Sequence, residues 1–179
     1  MVRAPDGRIL VVSDTNVLIN FLRVGRFDLV TQHKDYHFVV TEHTRAEITH
    51  AVQRAELEAA IATRAIEETS LTDPSEIALF AVLNAFLGRG ESAAIAVAAT
   101  RNWIVATDET RRAKREIESR LGQGRQLTTP GVLLRCIMNG TLMVGDADTI
   151  KVQLAAQRFV MKFASFSDLL PKPPTPPAS

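Results

Sequence analysis

In 179 residues the sequence spends one cysteine, one tryptophan and one tyrosine, and each shortage excludes something. A single thiol, Cys136, can make no internal disulfide and no cysteine-rich metal site, so a reducing compartment, the cytoplasm, is the expectation. It stands in the apolar run Val132–Met138, where a small core residue is the simpler reading than a nucleophile. Aromatic residues are only 6% while hydrophobic residues total 46%, so the core has to be aliphatic and the chain globular. An excess of charge of one sign is missing too. Lys plus Arg (21) nearly balances Asp plus Glu (20), for a net charge of +1. A polyanionic partner would therefore have to be met by a local patch. No apolar run is long enough for a membrane span, and the opening MVRAPDGRILVV is too short in its apolar part for a signal peptide. No membrane partner is expected. There is no P-loop and no GxGxxG, and Gly88-Arg89-Gly90 is too short to cradle a dinucleotide.

What is present alternates. Ile9–Val12 is a β-branched run without polar alternation, the mark of a strand buried on both faces. A helical pattern carrying Val17, Leu18, Phe21 and Leu22 follows and is stopped at Gly25. Phe38–Val40 is a second strand, and Thr41 is a plausible N-cap for a helix from Glu42 to about Arg64. Ala65–Thr69 reads as an edge strand. Asp73-Pro74 opens a helix whose buried face is expected to be Ile77, Phe80, Leu83 and Leu87. From Glu91 to Thr100 the sequence is apolar nearly all round, which predicts a helix inside the protein. Trp103–Thr107 is a third strand, leading through Asp108 into a charged helix to about Leu121. Thr129-Pro130 caps a helix closed by Asn139-Gly140, and Asp146 or Asp148 starts a last helix through about Met161. This order predicts an α/β fold with a mainly parallel sheet between two helical layers. Residues 1–145 form the expected main domain, 146–170 a helical extension, and 171–179 a Pro-rich tail that is not expected to pack.

Four acids occupy informative places. Asp14 and Asp108 each end a strand, where parallel sheets open the crevice that binds ligands. Glu91 opens the apolar helix just after two glycines, and Glu47 lies one or two turns into the helix after the second strand. If the four meet, their repulsion calls for a shared proton or a cation. All-oxygen ligands favour Mg²⁺ or Mn²⁺, and such a centre suits hydrolysis of a phosphodiester. Each residue has a plainer reading beside it. Asp14 and Asp108 serve equally as N-caps, Glu47 as a solvated helix residue, and Glu91 as a partner of a helix dipole.

Taken together, the stretches Ser13–Ile19, Arg45–Ile48, Gly88–Ala98 and Ala106–Lys114 resemble a PIN domain in order, residue type and spacing, from about Ile9 to Met143. The resemblance implies a three-layer α/β/α fold and a Mg²⁺- or Mn²⁺-dependent endoribonuclease that cuts single-stranded or structured RNA. Many relatives are the toxin halves of toxin–antitoxin pairs (VapC-type), so an RNA substrate, an antitoxin protein and a homodimer are its implied partners. By position, Asp14, Glu91 and Asp108 match the family's metal-binding acids and Glu47 its second acid. Thr15 or Asn16 would support the metal shell or a phosphate. A non-catalytic PIN-like scaffold that binds RNA or protein is the alternative, motivated by the final helix and the tail.

Two further patterns have weaker readings. The basic segment Glu109–Arg125 offers Arg111 and Arg112 beside Asp108 as substrate contacts, against a solvated helix with ion pairs such as Arg112 with Glu116. His43, Glu47 and His50 share one helical face, but they do not form HExxH and lack a completing ligand, so a zinc site is not expected.

Overall fold

The computed structural model describes residues 1–171, and most of the Pro-rich tail, residues 172–179, lies outside them. Five strands form one sheet: β1 (Ile9–Ser13), β2 (Tyr36–Thr41), β3 (Glu67–Thr69), β4 (Ile104–Ala106) and β5 (Gln126–Leu127). They lie in the order β3-β2-β1-β4-β5, and every pairing is parallel. The winding reverses at β1, whose neighbours are β2 on one side and β4 on the other. Parallel sheets bind ligands at the carboxyl ends of strands that flank such a reversal.

Successive residues of β1 face opposite ways, and this alternation builds two cores. Val11 packs with α1 (Thr15–Arg23), α2 (Asp28–Thr31), α4 (Ala51–Ala62), α8 (Thr129–Met138) and α9 (Val144–Ala156). Val12 packs with α5 (Pro74–Leu83), α6 (Arg89–Arg101) and α7 (Arg112–Leu121) on the other face. The result is the expected α/β/α sandwich. Phe21, Leu18 and Phe38 are fully buried, each contributing about 1.5–3 kcal/mol by leaving water. Helix α6 is buried from Gly90 to Ala98, in keeping with its all-round apolar sequence. Cys136 is buried and its thiol is pushed up to about 12 by loss of solvation, as befits a core residue.

Several boundaries differ from the sequence reading. The stretch from Glu42 to Arg64 is not one helix. It divides into α3 (Glu42–Glu47) and α4, because Ile48 turns extended (ψ 92°) and drops into the core at 1% exposure. Glu47 is therefore the last residue of a short helix. The break also disperses the histidines: His43 stacks on Phe80 at 4.7 Å and His50 stands at the N-cap of α4.

On α5 the buried positions are Glu76 and Leu83, whereas Ile77 is 51% exposed. Glu76 is drawn inward because Arg101 meets it there at 2.6 Å. The charged helix begins at Arg112, not directly after Asp108, since Asp108 is held by α8 instead. Glu116 pairs with Arg120, and Arg112 reaches the carbonyl of Phe86. The last helix begins at Val144 with no side-chain cap and ends at Ala156, short of Met161, because Arg158 turns left-handed (φ 68°). Beyond it the chain folds back through residues 157–165 to a short 3₁₀ turn, Phe166–Leu169. Strand β5 and helix α2 carried no sequence signal of their own.

Candidate active site

The carboxyl ends of β1 and β4 are adjacent. Ser13 registers with Ala106, and the Asp14 N–H continues the ladder to the Ala106 carbonyl at 2.8 Å. Asp14 also caps α1: its Oδ1 accepts from the Thr15 N–H at 2.7 Å. The capping reading thus holds, yet it uses only one oxygen. Oδ2 has just a long 3.5 Å contact from the Asn16 amide. The residue is 4% exposed. Burial, with the charges of Glu91, Glu47 and Asp108 around it, pushes its pKa up to about 7. Glu91, Glu47 and Asp108 thus lie near enough to Asp14, at this end of the sheet, for their charges to be felt there.

Glu47 reaches the site from the end of α3. Its Oε2 accepts from the Thr15 hydroxyl, and its Oε1 accepts from the Gly90 N–H at 2.8 Å. It thereby ties the start of α1 to the start of α6. Gly90 has to be glycine for this contact, since a Cβ there would stand 2.6 Å from Glu47 Oε2 and 2.9 Å from Thr15 Oγ1. Thr15 itself is buried with its hydroxyl committed to Glu47. Asn16 is exposed at the rim.

Glu91, in the first turn of α6, accepts from the Thr107 hydroxyl at 3.0 Å through Oε1, and no hydrogen bond reaches its Oε2 among the described residues. Its pKa is raised by burial first, with Glu109 and Glu47 adding to the effect. Asp108 is held differently from a cap of the next helix. It accepts from the Thr129 N–H at 2.8 Å, the Thr129 hydroxyl at 2.6 Å and the Asn20 amide at 3.0 Å. Burial still leaves its pKa raised against these three donors.

Three side chains that the sequence reading passed over complete the frame. Asn20 is buried on the apolar face of α1 and bridges Asp108 and Thr129. A polar residue flanked by Val17, Leu18, Phe21 and Leu22 was the available signal. Thr107 positions Glu91 and also accepts from the Glu109 N–H at 3.2 Å. Glu109 brings a fifth carboxylate to the rim, where it lines a depression of about 340 Å³ with Glu91, Arg111 and Arg112. Both arginines are exposed. A second depression of about 290 Å³ lies on the other side, against Asn16, Asn20, Arg23 and Asp108.

As donors, the acids offer hard oxygens, buried at Asp14 and Glu91, half-buried at Asp108 and exposed at Glu47, and Asp14 Oδ2 and Glu91 Oε2 are largely uncommitted. Among the described residues, no three His, Cys, Asp or Glu side chains converge tightly enough to ligate one ion by themselves. That donor set fits a cation which keeps most of its water and takes one or two carboxylates directly, the habit of Mg²⁺.

The PIN-domain sequence model matches residues 10–170 of this chain. The crystal structure of VapBC2 from Rickettsia felis, bound to a DNA fragment from their promoter, contains a chain that is similar at 11% identity with a TM-score of 0.44. That match covers 60% of this chain and 92% of the other. No curated protein matches in sequence. With acids at the ends of β1 and β4, a glycine packed under Glu47, and a family match over nearly its whole length, the chain belongs to the PIN-domain family.

Proposed function

We propose that this protein is an endoribonuclease that hydrolyses RNA phosphodiesters with Mg²⁺ or Mn²⁺. The observation that carries the reading is Asp14. It is a buried carboxyl whose pKa of about 7 reflects burial and three facing acids. A group so placed costs stability in isolation, and a bound divalent cation offsets that cost.

Asp14 and Glu91 would hold the ion through their uncommitted oxygens, with Asp108 behind them. When bound, the ion supplies charge neutralisation on a phosphate oxygen and acidifies a water. The protein's own part is positional. Thr107 orients Glu91, and Asn20 with Thr129 fixes Asp108. Glu47 locks the first turns of α1 and α6 together, so that Asp14 and Glu91 keep their spacing. Arg111 and Arg112, exposed beside Glu91, are placed to meet flanking phosphates, and Asn16 stands at the opposite rim.

The toxin role, with an antitoxin protein as partner and a homodimer as the working form, belongs to the same proposal. Ile77 and Val82 on α5 and Phe86 in the turn after it, exposed at 51%, 57% and 41%, support a protein contact there.

The experiment is Mg²⁺ or Mn²⁺ binding by calorimetry, with cleavage of a mixed RNA pool alongside, for wild type, Asp14→Asn and Asp108→Asn. Binding and cleavage lost together in Asp14→Asn are the expected result. Cleavage unchanged in both variants would sink the reading, and no cleavage by wild type would leave the scaffold alternative standing.

A further inference from the structure

The chain beyond α9 does something that its helix does not require. Arg158 adopts φ 68° at the helix end, where glycine is the usual residue, and its N–H and that of Phe159 close back on Ala155 and Leu154 at 3.0 and 2.9 Å. The turn aims residues 157–163 at the candidate active site. Gln157, Arg158 and Phe159 join Arg23, Asn16 and Asp108 around the depression of about 290 Å³. Phe159 and Asp108 also line a larger, more apolar hollow of about 470 Å³ with Val160, Lys162 and Phe163. Glu109 lines both the 290 Å³ depression and the one that holds Arg111 and Arg112.

The three hollows therefore adjoin. They make one groove with acids at its centre and cations at both ends. Arg23 and Arg158 are exposed, and no carboxylate pairs with either among the described residues. Phe159 is half-buried and Val160 is 69% exposed beside it. Unpaired cations next to a partly open aromatic are the combination that binds single-stranded nucleic acid, phosphates on the charges and a base on the ring. A duplex keeps its base faces stacked inside and has nothing to offer the ring.

Resting on the nuclease reading above, we infer that residues 157–163 with Arg23 form the strand-binding wall of the groove. Phe159 stacks an unpaired base beside the scissile phosphate, and Arg23 and Arg158 take the neighbouring phosphates. The wall adds a subsite for the strand that lies outside the acid cluster and comes from the segment after α9.

The test measures binding separately from cleavage. Fluorescence anisotropy with a short labelled RNA, single-stranded or annealed to its complement, is run in EDTA across a salt series. The proteins are wild type, Phe159→Leu, Arg158→Gly and Arg23→Ala/Arg158→Gly. Phe159→Leu keeps the apolar packing and removes the stacking face. Arg158→Gly relieves the left-handed backbone, so it is expected to raise the melting temperature even as it weakens binding. A merely structural role for Arg158 would not give that pairing of effects.

Wild type should prefer the single strand. Phe159→Leu should weaken single-strand binding roughly ten- to a hundred-fold while leaving duplex binding unchanged. The double arginine variant should lower the slope of log K against log salt by about 1.4, or about 0.7 for each phosphate contact. Unchanged affinity and slope in these variants would overturn the wall and leave the nuclease reading intact, provided wild type still cleaves RNA with Mg²⁺. Wild type that neither binds nor cleaves RNA would overturn both.

Discussion

Replacing Asp14 by Asn should make the metal-free protein more stable, although it removes the residue on which the proposed chemistry depends. The carboxyl moves from an ordinary value of 3.8 to about 7 on folding, first through burial and then through Glu91, Glu47 and Asp108. At about 1.36 kcal/mol per unit, that shift amounts to roughly 4 kcal/mol of lost stability once the group ionises in the native state. The sign follows from which state binds the proton more tightly. Here the folded state does, so the penalty is absent below the unfolded pKa, grows as pH rises toward about 7, and is complete above it.

Asn keeps the one interaction that Asp14 makes well. Its side-chain oxygen can still accept from the Thr15 N–H, and Asn caps helices about as well as Asp. Asp14→Asn should therefore gain up to about 4 kcal/mol at a pH of about 8. For a chain of this size that is a melting-temperature rise on the order of 10 °C. The assay is thermal unfolding in EDTA for both proteins across pH, repeated with saturating Mg²⁺. The gap should close as pH falls toward about 4. It should also narrow with Mg²⁺, which stabilises wild type and not the variant. A variant no more stable than wild type at alkaline pH, or a gap that widens in acid, would refute the account of the acid cluster.

Other substitutions probe the frame around it. Gly90→Ala, a change that usually helps a helix by about 1 kcal/mol, should here cost about 1–3 kcal/mol in denaturant unfolding by displacing Glu47 from the Gly90 N–H. Gly88→Ala, where no atom lies within 4 Å of the new Cβ, should cost only the weaker N-cap of α6, on the order of 0.5–1 kcal/mol, and leave Glu47 in place. Arg101→Met should cost about 3–5 kcal/mol at neutral pH, because it strands Glu76 at 1% side-chain exposure. Burial alone would raise the Glu76 pKa, and Arg101 holds it below the usual value instead. The pair's contribution is thus present above the unfolded pKa of about 4.5 and fades as pH falls below it, so the difference from wild type should shrink in acid. Asn20→Leu should lower cleavage and weaken metal binding, since Asp108 loses one of the three donors that hold it. Calorimetry and the RNA assay together read this out, and full activity would show that Asn20 positions nothing.

What the sequence disclosed and what it withheld divide along a physical line. Features set by neighbours in the chain were legible. Ile9–Val12 is apolar without alternation and became a strand covered on both sides. Asp14 and Glu91 stand where a strand or a glycine turn gives way to a helix, and both arrive at the site. Features set by distant partners were not. The sequence Glu42–Arg64 has uninterrupted helical propensity, yet the chain breaks at Ile48 because burying that side chain and seating Glu47 on Gly90 outweigh the single turn given up between α3 and α4. Asp108 looks locally like a cap for the next helix, but its partners are Thr129, 21 residues on, and Asn20, 88 residues back.

The same division bears on specificity. The acids are set by the sheet, so any chain with this fold and these residues would gather them. The groove that decides which strand reaches them is lined on one side by residues after α9, where Arg158 takes a backbone conformation that a non-glycine residue adopts at a cost of about 1–2 kcal/mol. Arg158 stands at one end of that groove and Arg111 and Arg112 at the other. On the proposed reading, chemistry and selectivity reside in different parts of the chain, the strand and helix ends that carry the acids and the segment after α9, so substitutions in that segment should change which RNA is cut before they change whether RNA is cut.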